Sequence, residues 1–237
     1  MQGASVNTKK ADFVHRNDIQ ALRGFAVLLV VAYHARLGAP LQGYLGVDIF
    51  FVVSGFLITT LVCNAVDQGG FLFREFYFRR AKRLLPAAYT TFLCTTLLAP
   101  FFLGAEELRD YVLQLVGAVT FTGNVVLWQQ AGYFDGAAEL KPLLHVWSLS
   151  IEEQYYFLLP AFLFITPKKY RAAGVVALTV ASLTLCVAGG FWKPVATFYL
   201  LPTRAWELGI GSIGACLVAG GRAQYFSGRF FGWRCCR

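Results

Sequence analysis

Residues 20–36 read QALRGFAVLLVVAYHAR, and this stretch indicates the fold class of the chain. Ten uncharged residues separate Arg23 from His34, as expected in the first span of a membrane protein. Ionisable side chains are costly inside an apolar helix, so they usually have a partner and a function. Eleven helical residues rise about 16 Å and return to within about 20° of the starting direction. Arg23 and His34 are therefore predicted on one helix face, with the cation near a membrane surface and the imidazole near mid-membrane.

Each of these two residues also has a structural interpretation. Arg23 is typical of a cation that anchors a span at the membrane surface, and His34 alone is compatible with a structural histidine. Their shared face favours a function for the pair. On this face the cation is suited to bind an anionic donor, and the imidazole is suited to react with the far end of the same donor.

The composition indicates a polytopic membrane protein. Of the 237 residues, 57% are hydrophobic and 14% are charged, whereas soluble domains carry about 25% charged residues. The basic residues behind the net charge of +8 lie in short connections, as the positive-inside bias requires, so no nucleic-acid partner is expected. The six cysteines show no metal-ligand spacing, and no metal site is predicted. We expect an all-α, polytopic transmembrane helical bundle of about seven apolar segments.

The second apolar segment, residues 43–59, carries Asp48 near its outer end. This aspartate is either a polar residue at a helix end or a carboxylate that orients His34 or a substrate hydroxyl. Ser54 lacks the flanking glycines of a nucleophile elbow, so it is predicted to serve packing. Three glycines of the segment permit close helix approach: Gly43, Gly46 and Gly55.

A basic segment precedes the third apolar run. Residues 73–83 contain five basic residues and one acidic residue, and a positive-inside loop alone would explain this sign. However, Arg80 and Arg83 are three residues apart and share a face if the segment is a short helix. Paired guanidinium groups suit phosphate recognition. Pro86 is expected to start the third span, residues 84–103.

The positive-inside rule conflicts with a simple alternation of spans. Counting from a cytoplasmic N-terminus places basic residues 74–83 inside but basic residues 168–171 outside, which the rule opposes. Either one segment between residues 84 and 165 does not cross, or the rule is violated. Residues 111–128 are predicted to be this re-entrant or half-spanning piece, because three residues interrupt them: Gly117, Gly123 and Asn124.

Residues 145–157 read HVWSLSIEEQYYF and are predicted to head the next span. Ser150 and Glu153 have the spacing of a capping box, while Ser148 and Glu152 lie one helical turn apart on another face. Two glutamates and a glutamine exceed what a helix cap needs. The segment is therefore also a candidate site, with Glu153 as a carboxylate that orients the catalytic imidazole.

Residues 172–190 and 194–219 are predicted as the last two spans. Within the second of these, Arg204 and Glu207 are three residues apart and most simply form a helix-end ion pair. The chain is predicted to comprise a cytoplasmic N-terminal segment, a membrane domain and a basic tail. Their boundaries are residues 1–17, 18–219 and 220–237.

Five motifs occur in order, and together they resemble the acyltransferase-3 family of bacterial integral-membrane O-acyltransferases. They are Arg23-x10-His34, GVDIFFVVSGFLI, FYFRRAKRLLP, HVWSLSIEEQYY and PTRAWEL. The resemblance implies transfer of an acyl group, often acetyl, from cytoplasmic acyl-CoA to a hydroxyl of a cell-envelope glycan such as lipopolysaccharide O-antigen or exopolysaccharide. It implies a multi-pass protein of the bacterial inner membrane, with acyl-CoA, the glycan acceptor and the lipid bilayer as partners.

The resemblance also implies site residues. His34 is expected to be the catalytic histidine with Arg23 as its motif partner, and Arg80 and Arg83 are expected to form a basic site for the donor. Asp48 and Glu153 are the further catalytic candidates. The remaining motif residues are expected to bind substrate or to hold the structure: Trp147, Ser148, Glu152, Gln154, Arg204 and Glu207.

Members of the family usually have about ten spans, so we expect this chain to be a fragment or a truncated form whose tail departs from the pattern. Two other functions remain open at this point. Buried ionisable residues also mark transporters or flippases of lipid-linked sugars, although the internal repeats typical of transporters are missing from the sequence. A non-catalytic remnant is the third possibility.

Overall fold

The computed structural model describes residues 17–35, 44–131 and 140–219. In these ranges it contains helices and no strand, which confirms the all-α class. The helices are α1 (Asn17–His34), α2 (Tyr44–Asp67), α3 (Phe73–Phe102), α4 (Ala105–Val119), α5 (Gly123–Gln130), α6 (Val146–Ile165), α7 (Lys168–Trp192), α8 (Pro194–Tyr199) and α9 (Leu201–Ala219). The chain divides into two units, Met1–Phe50 and Phe51–Arg237, with the boundary inside α2.

Three of the described helices are long and apolar enough to cross a membrane: Leu45–Asp67, Phe73–Phe102 and Lys168–Trp192. Long apolar helices of this kind satisfy every backbone hydrogen bond internally, as a bilayer requires. The chain is therefore a polytopic helical membrane protein, and the figure of about seven segments stays a prediction.

In the first unit, α1 packs against the start of α2 at a glycine. A Cβ added to Gly46 would lie 2.5 Å from the carbonyl oxygen of Ala26 and 2.7 Å from Val30 Cγ2. Only glycine permits this approach, so the predicted role of Gly46 is confirmed. The helix ends at His34, earlier than the predicted end at Arg36, and the turn at residues 37–42 and Gly43 lie outside the described residues.

In the second unit, α6 is the central helix. Ser54 of α2 bonds to Glu152 of α6, and both helices run in the same direction from this contact. α3 runs the opposite way along α6, because Tyr77 lies beside Phe157 and Phe73 beside Phe164. The buried side chains that join these helices include Val62, Phe76, Tyr156 and Leu163.

α9 packs between α2 and α7. It is antiparallel to α7, since Ser182 accepts a hydrogen bond from the backbone N–H of Trp206 at 2.9 Å and Thr179 faces Gly209. Against α2 the contact is closer still. A Cβ on Gly55 would lie 1.9 Å from the carbonyl oxygen of Leu208, so the predicted role of Gly55 in close approach is also confirmed.

The segment predicted to be interrupted forms a helical hairpin. α4 and α5 are joined by a turn at residues 120–122, in which Phe121 has a φ of 56°. The helices are antiparallel, because Gln114 near the middle of α4 donates to Gln130 at the end of α5 at 2.9 Å. α4 has 15 residues and α5 has 8. Both helices are therefore shorter than a membrane span, which needs about 20 residues.

This hairpin removes the conflict in the charge pattern. Asp67 at the end of α2 forms ion pairs of 2.7 Å with both Lys168 and Arg171 at the start of α7. Phe73 at the start of α3 contacts Phe164 near the end of α6. The basic starts of α3 and α7 therefore lie at one end of the second unit, which we call the basic end, as the positive-inside rule requires of two short connections.

Two predicted helix boundaries are wrong. Pro86 does not start a span, because α3 continues through it from Phe73 to Phe102. Phe76 and Phe92 are buried on either side of this proline, and such packing offsets the roughly 3 kcal/mol that a helix-interior proline costs.

The last predicted span is also two helices. Leu200 between α8 and α9 is extended, with φ −92° and ψ 141°. Pro202 would clash with the carbonyl group of Phe198 in a continuous helix, whereas it fits in the first turn of a new one. Residues 1–16 of the predicted N-terminal segment 1–17 lie outside the described residues, and so does the predicted tail, residues 220–237.

Candidate functional site

The first unit contains the predicted catalytic pair on one helix. α1 includes both Arg23 and His34, so the eleven-residue helical separation holds. The guanidinium carbon of Arg23 lies 4.9 Å from the ring centroid of Phe50, which is a cation–π distance. His34 is the last residue of α1 and is exposed, and its position near mid-membrane stays a prediction.

The ring of His34 makes a hydrogen bond within its own helix. The Nδ1 atom lies 2.8 Å from the carbonyl oxygen of Val30. A carbonyl oxygen only accepts, so Nδ1 carries the proton in this bond. A neutral ring in this tautomer has its lone pair on Nε2, which is the form that a general base requires. Asp48 lies half-buried in the second turn of α2, and its predicted role in orienting the imidazole stays a prediction.

In the second unit, Glu153 and Arg80 form a forked ion pair. The Nε and Nη2 atoms of Arg80 both donate to the Glu153 carboxylate, at 3.0 and 2.5 Å. The guanidinium carbon also lies 3.5 Å from the ring centroid of Tyr156. Paired geometry of this kind fixes both side chains. One edge of the Arg80 guanidinium is thus occupied by Glu153, and donor binding by Arg80 stays a prediction.

Glu152 lies next to this ion pair and is more deeply buried. One of its oxygens accepts hydrogen bonds from Ser54 at 2.7 Å and from Tyr156 at 2.5 Å. The same oxygen lies 3.9 Å from Arg80 Nη2. A buried carboxylate requires such donors, because an uncompensated charge inside a protein is costly. Ser54, predicted only to pack, is therefore a polar partner of the cluster.

Gln154 and Tyr155, the next two residues of α6, contact two other parts of the second unit. Gln154 donates from Nε2 to the Asn124 side chain at 2.8 Å and to the carbonyl oxygen of Phe121 at 2.9 Å, in the turn of the hairpin. The hydroxyls of Tyr155 and Ser212 in α9 lie 2.7 Å apart. Residues 152–155 thus contact α2, α3, the α4–α5 turn and α9 in succession, and α6 joins the unit through this polar segment.

The capping-box interpretation of Ser150 and Glu153 is wrong. α6 begins at Val146 with His145 at the N-cap position, so both residues lie inside the helix. The helix starts earlier because Trp147 and Ile151, one turn apart, are both buried in the unit.

A second group of the predicted site residues lies around Trp147. Arg204 forms the predicted ion pair with Glu207, and its guanidinium carbon lies 5.6 Å from the Trp147 ring and 4.9 Å from the Phe198 ring. These two aromatic rings are 4.6 Å apart. Ser148 donates to the carbonyl oxygen of its neighbour His145 at 3.2 Å, which is a local contact at the start of α6.

Arg83 differs from Arg80 in its surroundings. It lies one turn later on α3, is exposed, and forms no ion pair with a described residue. Arg79, also exposed, pairs with Glu75 at 3.2 Å. An exposed guanidinium keeps all five donors available for an anion, so Arg83 is the better placed of the two predicted donor residues.

Sequence reasoning missed Tyr156 and Asn124 as members of the polar cluster. Tyr156 belongs to the quoted motif, and its place one turn after Glu152 was the available signal. Asn124 was noted only as an interruption of an apolar segment. It is fully buried and donates to the carbonyl oxygen of Tyr199 at 3.0 Å, and a buried amide in an apolar segment is itself a sign of such a role.

A family model described as an acyltransferase domain, that of the acyltransferase-3 family, matches residues 16–231. The chain belongs to this family. It is 35% identical over 204 residues to a protein of Bacillus subtilis provisionally named peptidoglycan O-acetyltransferase YrhL, covering 81% of this chain and 32% of that protein. It is 32% identical over 200 residues to the peptidoglycan O-acetyltransferase OatA of Listeria monocytogenes, covering 80% of this chain and 32% of that protein.

A third relative is closer to this chain in length. An uncharacterised protein of Haemophilus influenzae is 35% identical over 176 residues, which cover 70% of this chain and 72% of that protein. The chain spans about a third of the length of YrhL and OatA, at 32% of each. No solved structure matches the chain.

Proposed function

We propose that this acyltransferase-3 chain transfers an acyl group, most simply acetyl, from acyl-CoA to a hydroxyl of a cell-envelope glycan. The acceptor class is lipopolysaccharide O-antigen, exopolysaccharide or peptidoglycan, the last because relatives are named for it. The protein acts in the bacterial inner membrane with its N-terminus and the basic end of the second unit on the cytoplasmic side. Family membership and the motif order support the reaction class.

The observation that carries the catalytic part is the hydrogen bond from His34 Nδ1 to the carbonyl oxygen of Val30. With Nδ1 as the donor, Nε2 is the basic nitrogen of the ring, and we propose that it removes the proton from the acceptor hydroxyl. The hydroxyl oxygen then attacks the thioester carbonyl, the C–S bond breaks, and the CoA sulfur leaves and takes up a proton. General-base help of this kind is worth about 10²–10⁴-fold in rate.

The donor is proposed to bind through its phosphates at the exposed cations of α3. Arg83 is exposed without a carboxylate partner among the described residues, and Lys82 beside it is exposed as well. Arg80 is compensated by Glu153 and by the nearby Glu152. Its role is therefore to hold α3 against α6, so that Arg83 is presented on a fixed helix.

The test is release of free CoA thiol from acetyl-CoA by the 237-residue chain in proteoliposomes, with each of the three glycan classes as acceptor. We expect thiol release that depends on one acceptor and appears together with an acetyl ester on that glycan. Release no faster than from empty vesicles with every acceptor would contradict the proposal. Movement of a labelled glycan across the bilayer without ester formation would favour a flippase instead.

A further inference from the structure

The contact between α2 and α9 follows one register over about two helical turns. Gly55 meets Leu208, Thr59 donates to Ser212 at 2.7 Å, and the next step of four residues brings Cys63 opposite Cys216. In each pair the residue of α9 lies 153 positions after that of α2. Equal steps of four residues on both helices mean that the helices run parallel. They therefore keep the same residues facing each other from Gly55 to the cysteines.

The two helices approach more closely than usual along this line. Packed helices normally have their axes about 8–10 Å apart. Here a Cβ on Gly55 would lie 1.9 Å from the carbonyl oxygen of Leu208, and one on Gly211 would lie 1.9 Å from that of Val52. The backbones are thus in direct contact, as in the small-residue contacts of membrane helices.

Cys63 and Cys216 lie two turns further along this contact. Both are free thiols and both are partly exposed. By this register Cys63 faces Cys216, and both side chains pack against the same buried cluster, which includes Val62 and Leu163. Disulfides form where the two Cα atoms are about 4.4–6.8 Å apart. Helices packed at the usual axis distance rarely bring Cα atoms this close, whereas helices whose backbones touch do.

The pair also lies close to the basic end of the second unit. Cys63 is one helical turn before Asp67, the last residue of α2, whose carboxylate pairs with Lys168 at the basic end. Cys216 is in the last turn of α9, which ends at Ala219. Both thiols are therefore within about 6 Å of a helix end along the axis.

We propose that Cys63 and Cys216 are an oxidisable dithiol whose disulfide joins α2 to α9. Both S–H bonds break, one S–S bond forms, and the two protons end on the thiols of the reduced reagent. The two electrons reduce a soluble disulfide to two thiols, through a mixed disulfide on one of the two cysteines. This modification is independent of the proposed acyl transfer, and it turns the contact between the helices from a packed one into a covalent one.

The experiment uses the full chain with its other four cysteines replaced by serine: Cys94, Cys186, Cys235 and Cys236. The purified protein in nanodiscs is treated with oxidised glutathione and then with a maleimide. We expect the number of maleimide labels to fall from two to zero, the intact mass to drop by two hydrogens, and dithiothreitol to restore both labels. Peptide mapping should identify the Cys63–Cys216 cross-link.

The matched control carries Cys216→Ser in the same background, so that Cys63 is its one remaining cysteine. Without its partner, Cys63 is expected to gain one glutathione and no cross-link. Stable glutathione adducts on both thiols of the test protein would overturn the proposal, and so would two thiols that stay maleimide-reactive after oxidation. Circular dichroism of both variants checks that the serine replacements leave the helices intact.

Discussion

Replacing Arg80 by methionine is expected to destabilise the second unit strongly, because two buried carboxylates then lose their shared cation. Arg80 Nη2 lies 2.5 Å from Glu153 and 3.9 Å from Glu152, and the side chains of these glutamates are only 13% and 8% exposed. Removing one partner of a buried ion pair costs about 3–5 kcal/mol. Since the Arg80 side chain is 26% exposed, solvent screening reduces the expected cost to about 2–4 kcal/mol.

The assay is thermal unfolding of the purified chain in nanodiscs, followed by circular dichroism. For a protein of this size, about 2–4 kcal/mol corresponds to a fall in melting temperature of roughly 4–16 °C. The double variant Arg80→Met/Glu153→Met should unfold at a higher temperature than the sum of the two single changes predicts, because it removes the uncompensated charge together with its partner.

Arg79→Met is the matched control one residue earlier on the same helix. Its ion pair with Glu75 is on the surface, with side chains 76% and 61% exposed, and surface pairs contribute little. The melting temperature of this variant should stay close to that of the unmodified chain. Equal effects of Arg79→Met and Arg80→Met would refute the view that the Arg80 ion pair holds α3 against α6.

Three further predictions concern packing, polar contacts and the donor. Gly55→Ala should lower the melting temperature, because its Cβ would meet the carbonyl oxygen of Leu208 at 1.9 Å, while Gly190→Ala, with nothing within 4 Å, should not; equal effects would contradict the close contact. Asn124→Ala should cost about 1–3 kcal/mol and raise amide hydrogen exchange in the turn of the hairpin; unchanged exchange would show that the amide does not hold this turn. Arg83→Gln should raise the KM for acetyl-CoA about 3–10-fold with little change in kcat; an unchanged KM in steady-state kinetics would remove Arg83 from the donor site.

Local patterns in the sequence predicted the features that depend on near neighbours. The helical register of Arg23 and His34 and the ion pair of Arg204 with Glu207 follow from helical spacing alone. The interruption near Gly117 follows from residue types that do not favour a regular span. The close contact at Gly55 was also predictable, because only a missing side chain permits two backbones to touch.

The polar cluster around α6 could not be predicted, because its partners are distant in the sequence. Glu153 and Arg80 are separated by 73 residues, and Ser54 and Glu152 by 98. No local rule selects these pairs, and the capping-box spacing of Ser150 with Glu153 favoured a wrong local alternative. Helix packing decides which of the possible partners a buried carboxylate meets.

Helix ends were the other features beyond sequence reasoning. Pro86 is a strong sign of a helix start, yet buried aromatic residues on both sides keep α3 continuous through it. Pro202 does interrupt the helix, which is divided into α8 and α9. The effect of a proline thus depends on tertiary contacts that its neighbours in the sequence do not reveal.

The proposed role of His34 as a general base is tested most directly by kcat for thiol release from acetyl-CoA in the variant His34→Gln. Glutamine keeps a polar side chain but has no basic nitrogen, so kcat should fall about 10²–10⁴-fold. His145→Gln, at the exposed start of α6, is the matched control and should retain the rate of the unmodified chain. A His34→Gln enzyme that transfers acetyl at the unmodified rate would contradict the account.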